Sequence, residues 1–403
     1  QWIDISPDGN SLYVCGSGDS ALVVFDRNTT TGALTFREVW QDPDAASPIT
    51  GALTQDGLEW SSGVRVSPEG THVYCLSEAD NALIVFSRDG SGSLTVAEVW
   101  ADAGSTVGDA IQQDGLGSPT HLVLSNDGGS LYVVSSGDSA LVVFDRNTTT
   151  GILTFNEVWA DVGSSVTGAA FQDGLGSAFD VIISDDDTSV YTAAGGDNAV
   201  IVWDRNTTTG ALTFNEVWAD AGSAITGANL QDGLAGTMGV DVSPGGEYVI
   251  ATGQSEHALV VFDRNTTTGA LTFNEVWADT GSGIMDASTQ DGLNMCEGLE
   301  VSSDGSSLYV AGSGDSAVTV FSLPSSNNPP AASDDSATTD WDTAVVIDVL
   351  ANDSDADGDT LSVSAVTQPG NGSVANNTSN VTYTPASGVT TTDSFTYTVS
   401  DGN

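Results

Sequence analysis

The chain contains no lysine, and its seven arginines face 55 aspartates and glutamates, a formal net charge of −48 over 403 residues. Binding to phosphate backbones needs a basic surface, so nucleic acid is excluded as a partner. Such a surface stays soluble in high salt and attracts cations, but repels itself in low salt unless counter-ions or calcium screen it. No apolar run reaches the length of about 18 residues that a membrane-spanning helix requires. Cysteine is scarce: Cys15, Cys75 and Cys296 are an odd number without metal-ligand spacing. No G-x-S-x-G elbow, paired-histidine motif or phosphate-cradling loop occurs, so the usual parts of a hydrolase or metalloenzyme are missing. Long apolar patterns of helical period are absent as well.

In their place stands a repeat. The segment LVVFDRNTTTGALTFNEVWAD at 259–279 returns almost letter for letter at 141–161 and 200–220, more loosely at 22–42 and 83–102, and is clipped to VTVFSL at 318–323. Leu259, Val260, Val261 and Phe262 are strand formers, Thr268-Gly269 supplies a turn, and Leu271, Phe273, Val276 and Trp277 resume the apolar pattern, so each copy predicts a β-hairpin. The marker aromatics Phe25, Phe86, Phe144, Trp203, Phe262 and Phe321 lie 61, 58, 59, 59 and 59 residues apart. Each repeat divides into four short strands, as over 119–159, and four antiparallel strands per repeat make one propeller blade. The expected fold class is all-β: a six-bladed β-propeller over 1–323, then a Pro/Ser/Asn linker over 324–332 and a small β-sandwich over 333–403. The last blade lacks its fourth strand.

The long connections between repeats, such as WADVGSSVTGAAFQDGLGSAF at 159–179, carry the pairs Asp42/Asp56, Asp102/Asp114, Asp161/Asp173, Asp220/Asp232 and Asp279/Asp291. Loops this long inside a compact domain are usually functional. Two carboxylates with glycine carbonyls suit calcium, although Asp before Gly is also plain turn chemistry. The pairs Asp26-Arg27, Asp145-Arg146, Asp204-Arg205 and Asp263-Arg264, with Glu38, Glu157, Glu216 and Glu275 on the following strand, recur in repeat after repeat. They are expected to form cross-strand ion pairs that support each hairpin rather than a catalytic site. Asn28, Asn147, Asn206 and Asn265 head N-x-T patterns on the same turns, which read as glycosylation acceptors or as chance matches. His72, His121 and His257 share no spacing and read as structural. Cys15 and Cys75 fall one position apart within their repeats, leaving a disulfide or two buried thiols as alternatives.

SPDGNSLYV, GDSALVVFDRNTTTGALTF and the downstream QDGL resemble the secreted lactonase-type (YVTN-type) β-propeller repeats of bacteria, over residues 1 to about 323. The resemblance implies a propeller and leaves the reaction open, because the superfamily includes lactonases and members without assigned activity. Residues 333–403 resemble the bacterial cadherin-like or Ig-like modules found in tandem in large surface proteins. Their sharpest motif is Asp353-Ser-Asp355-Ala-Asp357-Gly358-Asp359, where alternate carboxylates converge on one cation and glycine permits the bend. The resemblance adds Asp334 and Asp335 as further calcium ligands, while Trp341 stands where such modules often carry an acid.

Both ends read as cut: Gln1 begins at the first strand of a repeat, and the C-terminal module stops where the family adds one more strand. Either the chain is a window on a longer polypeptide or strands are shared between copies head to tail, as in donor-strand assembly. The expectation is an extracellular or cell-surface structural or adhesive component, stabilised by calcium, with copies of itself or other surface proteins as partners. A lactonase-class hydrolase using the propeller channel and a glycan- or protein-binding platform on the loop rim are the alternatives.

Overall fold

A computed structural model describes residues 2–284, 286–323, 330–355 and 360–401. The chain divides into Gln1–Leu323 and Pro324–Asn403. In the first unit every repeat folds as an antiparallel meander. The first sheet runs in chain order through β1 (Ile3–Ile5), β2 (Ser11–Gly16), β3 (Ala21–Arg27), β4 (Leu34–Gln41) and β5 (Leu53–Thr54). Four more five-stranded sheets follow the same plan, and a sixth holds three strands, Cys296–Val301, Ser307–Gly312 and Ala317–Ser322. No α-helix occurs among the described residues. The first strands of successive sheets neighbour one another, the radial order of a propeller.

The expectation of four strands per repeat is corrected to five. Part of each long connection adds a two-residue strand parallel to the fourth: Trp40 pairs with Leu53, Trp159 with Ala170 and Trp277 with Ser288. The connection runs back along its own sheet, so the new strand must be parallel. The hairpin tips fall on the Thr-Gly turns, as at Thr268-Gly269, where both N–H groups bond Asn265 O. Asn28, Asn147, Asn206 and Asn265 each accept two backbone N–H bonds from the residues that follow, closing an Asx turn at the hairpin tip.

Sheets bury both faces against neighbours, and each of the five sheet-to-sheet interfaces is its own apolar cluster. One cluster gathers Tyr74, Leu83 and Val85 of the second sheet with Leu122, Leu131, Val142 and Phe144 of the third. The marker aromatic has its cause here. Trp40 of one sheet meets Phe86 of the next at 5.4 Å, Trp100 meets Phe144 at 5.0 Å, Trp159 meets Trp203 at 5.0 Å and Trp218 meets Phe262 at 5.0 Å.

Asp26 forms the expected cross-strand ion pair within its hairpin, with Arg37 at 2.5 Å, but four other arginines do not serve their own hairpins. Arg88 Nε donates to Tyr13 Oη (2.8 Å), Arg205 Nε to Tyr132 Oη (2.6 Å) and Arg264 Nε to Tyr191 Oη (2.6 Å), and Arg146 bonds Tyr74 in the same way. Each arginine reaches back to the preceding sheet, where it also pairs with an acid: Asp8, Glu69, Asp127 or Asp186. The glutamates bridge sheets as well, since Glu38, Glu98, Glu157 and Glu216 accept the backbone N–H of Leu94, Leu153, Leu212 and Leu271. Pairing within a hairpin would have left these charges in solvent, where an ion pair is worth little. Between sheets the guanidinium is desolvated, and its hydrogen bonds are stronger.

Cys15 and Cys75 meet in the first interface with sulfurs 3.5 Å apart, and all three cysteines are free and buried. The hydrogen-bonding contact with the Cys75 sulfur, and then burial, push the Cys15 thiol well up, so it stays protonated.

The second unit is a small sandwich. One sheet orders Val345–Ile347, Val381–Pro385 and Gly372–Asn376, and the other pairs Ser362–Val366 with Tyr397–Ser400. Val349, Val363, Val374 and Val381 fill the space between them.

Candidate functional site

The long connections bring acids together. Each loop pair that the sequence singled out is joined by a third carboxylate, giving Asp42/Asp56/Asp80, Asp102/Asp114/Asp138, Asp161/Asp173/Asp197, Asp220/Asp232/Glu256 and Asp279/Asp291/Asp315. In each group, one oxygen per residue lies within 4.8 Å of the others. The third acid comes from the turn between the second and third strands, in short GD and AD motifs or, for Glu256, a Ser-Glu pair. The sequence signal was present, since these acids repeat at the same period, but nothing in the spacing brings that turn beside the loop.

Local geometry explains the convergence. Asp102 Oδ1 accepts from Gly115 N (3.0 Å) and Leu116 N (3.2 Å), while Asp138 Oδ2 accepts from Gly117 N (2.7 Å). Both carboxylates therefore grip the same QDGLG bend. Gly115 has φ +108°, and a Cβ there would stand 3.0 Å from Val158 and 3.1 Å from Val142, so only glycine lets the bend pass this close. Asp114 reaches forward and accepts Thr167 N of the following loop (2.7 Å). In the fourth group Glu256, one methylene longer than aspartate, takes Gly233 N at 2.8 Å, and Asp220 Oδ1 is left buried without a hydrogen-bond partner.

Among the described residues no cationic side chain pairs with these acids, and their ionisation reflects it. Asp80, Asp102 and Asp161 are each pushed up to about 6 by burial and by the carboxylate beside them, Asp42, Asp138 and Asp197 respectively. Glu256 is raised by burial and by Asp220.

A second, unrepeated cluster sits on the first strands. His121, Arg65 and Asp180 come from three sheets and meet beside Trp2. Arg65 Nη2 lies 2.9 Å from His121 Nε2, His121 Nδ1 bonds Asp180, and the Trp2 ring stacks on His121 at 4.2 Å. Arginine only donates, so Nε2 accepts and Nδ1 carries the proton to Asp180. Asp180 also accepts Val240 N (3.0 Å), and its carboxyl lies below the usual range because His121 and backbone N–H groups outweigh burial. Asp4 and Asp241 bridge strands in the same way, to Val66 N and Val301 N, and burial pushes Asp241 up to about 7. His121 is thus one member of a cluster drawn from three sheets. Its partners lie 56 and 59 positions away, at neighbouring places in successive repeats, where a sequence pattern shows only scattered residues.

In the second unit, Asp335 Oδ2 and both oxygens of Asp353 surround the Tyr397 hydroxyl at 3.1 to 3.2 Å, and Asp353 Oδ1 caps Ser333 N at 2.8 Å. Asp334 and Asp355 are described nearby in sequence, whereas Asp357 and Asp359 lie outside the described residues. Trp341 is exposed.

Two family descriptions match. "Lactonase, 7-bladed beta-propeller" matches residues 40–167 and 108–285, together more than half of the chain. The chain belongs to the lactonase β-propeller family. "Bacterial Ig domain" matches residues 327–403.

Among solved structures, this lactonase-family chain is similar to a putative 6-phosphogluconolactonase from Bacteroides uniformis, at 17% identity and a TM-score of 0.57 over 80% of each chain. It is also similar to a functionally unknown protein from Desulfotomaculum acetoxidans (13% identity, TM-score 0.54, 80% of this chain and 81% of that one). A protein from Lactobacillus plantarum matches at 16% identity and a TM-score of 0.51, over 73% of each chain. At these identities the likeness shows the fold alone. No curated protein matches the chain. No helix is long and apolar enough to cross a membrane, a statement that covers the described residues.

Proposed function

We propose that this chain is an extracellular or cell-surface structural component, a propeller whose loop rim is clamped by calcium and whose Ig-like unit links it to copies of itself or to other surface proteins. The observation that carries the reading is the fivefold recurrence of a three-carboxylate group at the same place in successive sheets. Unpaired carboxylates this close repel one another, and a hard divalent cation with oxygen ligands is the partner that relieves them. Asp220 Oδ1 supports this, because a buried carboxylate oxygen with no donor costs stability until something coordinates it. Asp334, Asp335, Asp353, Asp355, Asp357 and Asp359 are proposed to hold a further calcium ion in the second unit.

The test is calcium titration of the full chain, followed by calorimetry and native mass spectrometry. Calcium should raise the melting temperature of the propeller, with up to five ions bound there, and Asp220→Asn should remove one. A melting temperature that chelation leaves unchanged would overturn the clamp.

A second reading, hydrolysis of a sugar lactone at the first strands, is favoured by the unrepeated Arg65–His121–Asp180 cluster. Against it, both ring nitrogens of His121 are already bonded, so neither is free to take a proton from an attacking water. Turnover of six-carbon sugar lactones that is lost in His121→Asn would establish this reading over the first.

A further inference from the structure

Two of the three cysteines face each other across one interface between sheets, and the third stands apart. Cys15 opposes Leu22 in the first sheet, as Leu76 opposes Leu83 in the second and Val134 opposes Leu141 in the third. Cys75 opposes Ile84 in the second sheet, as Val14 opposes Val23 in the first and Val133 opposes Val142 in the third. The two cysteines thus hold adjacent positions of the same repeated strand, and adjacent side chains of a strand point to opposite faces of its sheet. Cys15 points forward along the array and Cys75 backward, so the one-residue offset between them is what makes them meet. Their sulfurs lie 3.5 Å apart, both residues are at most 1% exposed, and both belong to the cluster that holds Tyr13, Leu22, Ile84 and Phe86.

The same crossing is filled differently elsewhere. It carries Leu76 and Val133 in the second interface and Ala193 and Ala251 in the fourth, each pair within one apolar cluster. Packing at this place therefore asks only for aliphatic side chains, and the first interface alone supplies two thiols. Cys296 makes the contrast: its sulfur faces the carbonyl oxygens of Ala258 at 3.0 Å and Gly253 at 3.9 Å, not another thiol. Joining Cys15 to Cys75 needs the sulfurs to close by about 1.5 Å, a movement that side-chain rotation supplies.

We propose that Cys15 and Cys75 form a disulfide site, at which a small disulfide oxidant such as oxidised glutathione joins the two thiols and staples the first sheet to the second. One thiolate attacks a sulfur of the oxidant and expels the first small thiolate, leaving a mixed disulfide. The other thiolate attacks the protein sulfur of that mixed disulfide, forms the Sγ–Sγ bond and expels the second. The oxidant gains two electrons, and the two cysteine protons end on the two small thiols. Burial sets the timing: the oxidant does not fit in the closed interface and Cys15 keeps its proton there, so exchange runs through transient opening of the two sheets. Once formed, the bond is shielded from reductants by the same burial. It links positions 60 apart in the chain, so it removes a large loop from the freedom of the opened state. In the extracellular setting proposed above the pair is oxidised, and in a reducing compartment it stays as two thiols. The staple goes beyond the calcium clamp and depends on none of its carboxylates.

The experiment incubates the full chain with oxidised glutathione over a series of urea concentrations below the unfolding transition, then counts thiols and measures the intact mass. The wild type should fall from three free thiols to one. It should lose about 2 Da, the two thiol hydrogens, and retain no glutathione. Proteolysis without reductant should yield one peptide pair joined through Cys15 and Cys75. The melting temperature should rise by roughly 5 °C and return on reduction. Cys296→Ala should still lose two thiols, whereas Cys15→Ala should carry glutathione on Cys75, which then has no partner. Should Cys15→Ala fail to fold, Cys75→Ala is read in its place, with glutathione expected on Cys15. A wild type that keeps three thiols at every urea concentration, that carries glutathione on Cys15 and Cys75 without joining them, or that links either one to Cys296 overturns the inference. Calcium binding is read separately, so any of these results leaves the clamp standing.

Discussion

Four of the five interfaces between sheets are held by a buried arginine, and the fifth does without one. In the fourth interface Arg264 is fully enclosed and gives hydrogen bonds to Tyr191, Gly246 O, Asp186, Thr188 and Ser189. In the fifth, Ile250 and Leu323 pack directly. The contrast teaches that the arginine is not required to bring two sheets together, which the apolar cluster does alone. The arginine adds a desolvated, hydrogen-bonded contact that, once buried, depends on every one of its acceptors. Replacing all members of such a group by packed hydrophobes is often neutral, whereas removing one member is costly.

The sharpest way to break the comparison is to remove one member. Arg264→Ala leaves Tyr191 and Asp186 without their donor and opens a cavity, so it should lower unfolding free energy by about 3 kcal/mol, measured by urea denaturation. Ile250→Tyr in the apolar interface should cost about 2 kcal/mol through overpacking and an unpaired hydroxyl. Adding Leu323→Arg and Gly245→Asp should recover part of that loss, and a cycle over the three changes reads the coupling.

The acid groups on the rim give a third prediction. The carboxyls of Asp80, Asp102 and Asp161 are raised from 3.8 to about 6 in the folded chain. A raised acid binds its proton more tightly when folded, so its contribution is fully present below the unfolded value and is lost as pH rises through the folded one. In the calcium-free protein, these groups should therefore make the melting temperature fall as pH rises from about 4 to about 6. Saturating calcium should reverse the trend, because protons and calcium compete for the same oxygens. Thermal melts across that window, with and without chelator, check the sign.

The smallest effect is expected at the position that sharpens the comparison most. Arg27→Ala changes the same repeat position as Arg264→Ala, but among the described residues Arg27 bonds only Gly9 O of its own sheet. It should alter the stability of the monomer by less than about 0.5 kcal/mol, measured by the same urea denaturation. A loss approaching that of Arg264→Ala would mean that the arginine acts within its own sheet after all.

Much of this was legible in the chain. The hairpin Leu259–Phe262, Thr268-Gly269 and Leu271–Trp277 announced itself through strand-forming residues and turn chemistry, and the 59-residue period announced the radial array. Both are local properties, written in neighbouring residues. The first two acids of each rim group were visible for the same reason, since they flank one loop. The third was not, because Asp80, Asp138, Asp197, Glu256 and Asp315 arrive from a turn about 20 residues onward. The parallel fifth strand was invisible too: two-residue segments such as Leu53–Thr54 and Ala170–Phe171 carry no periodicity.

The sequence by itself determined the all-β class, the repeat, the hairpins and the acidic character, because strand propensity, turn residues and charge act over a few positions of chain. Tertiary structure alone decided what the charges do. Arg88, Arg146, Arg205 and Arg264 turned away from their own hairpins because the neighbouring sheet offers a desolvated tyrosine and an acid, and His121 joined Arg65 and Asp180 because radial stacking puts distant repeats side by side. The strength of an ionic contact depends on the water excluded around it, and that is set by how sheets pack.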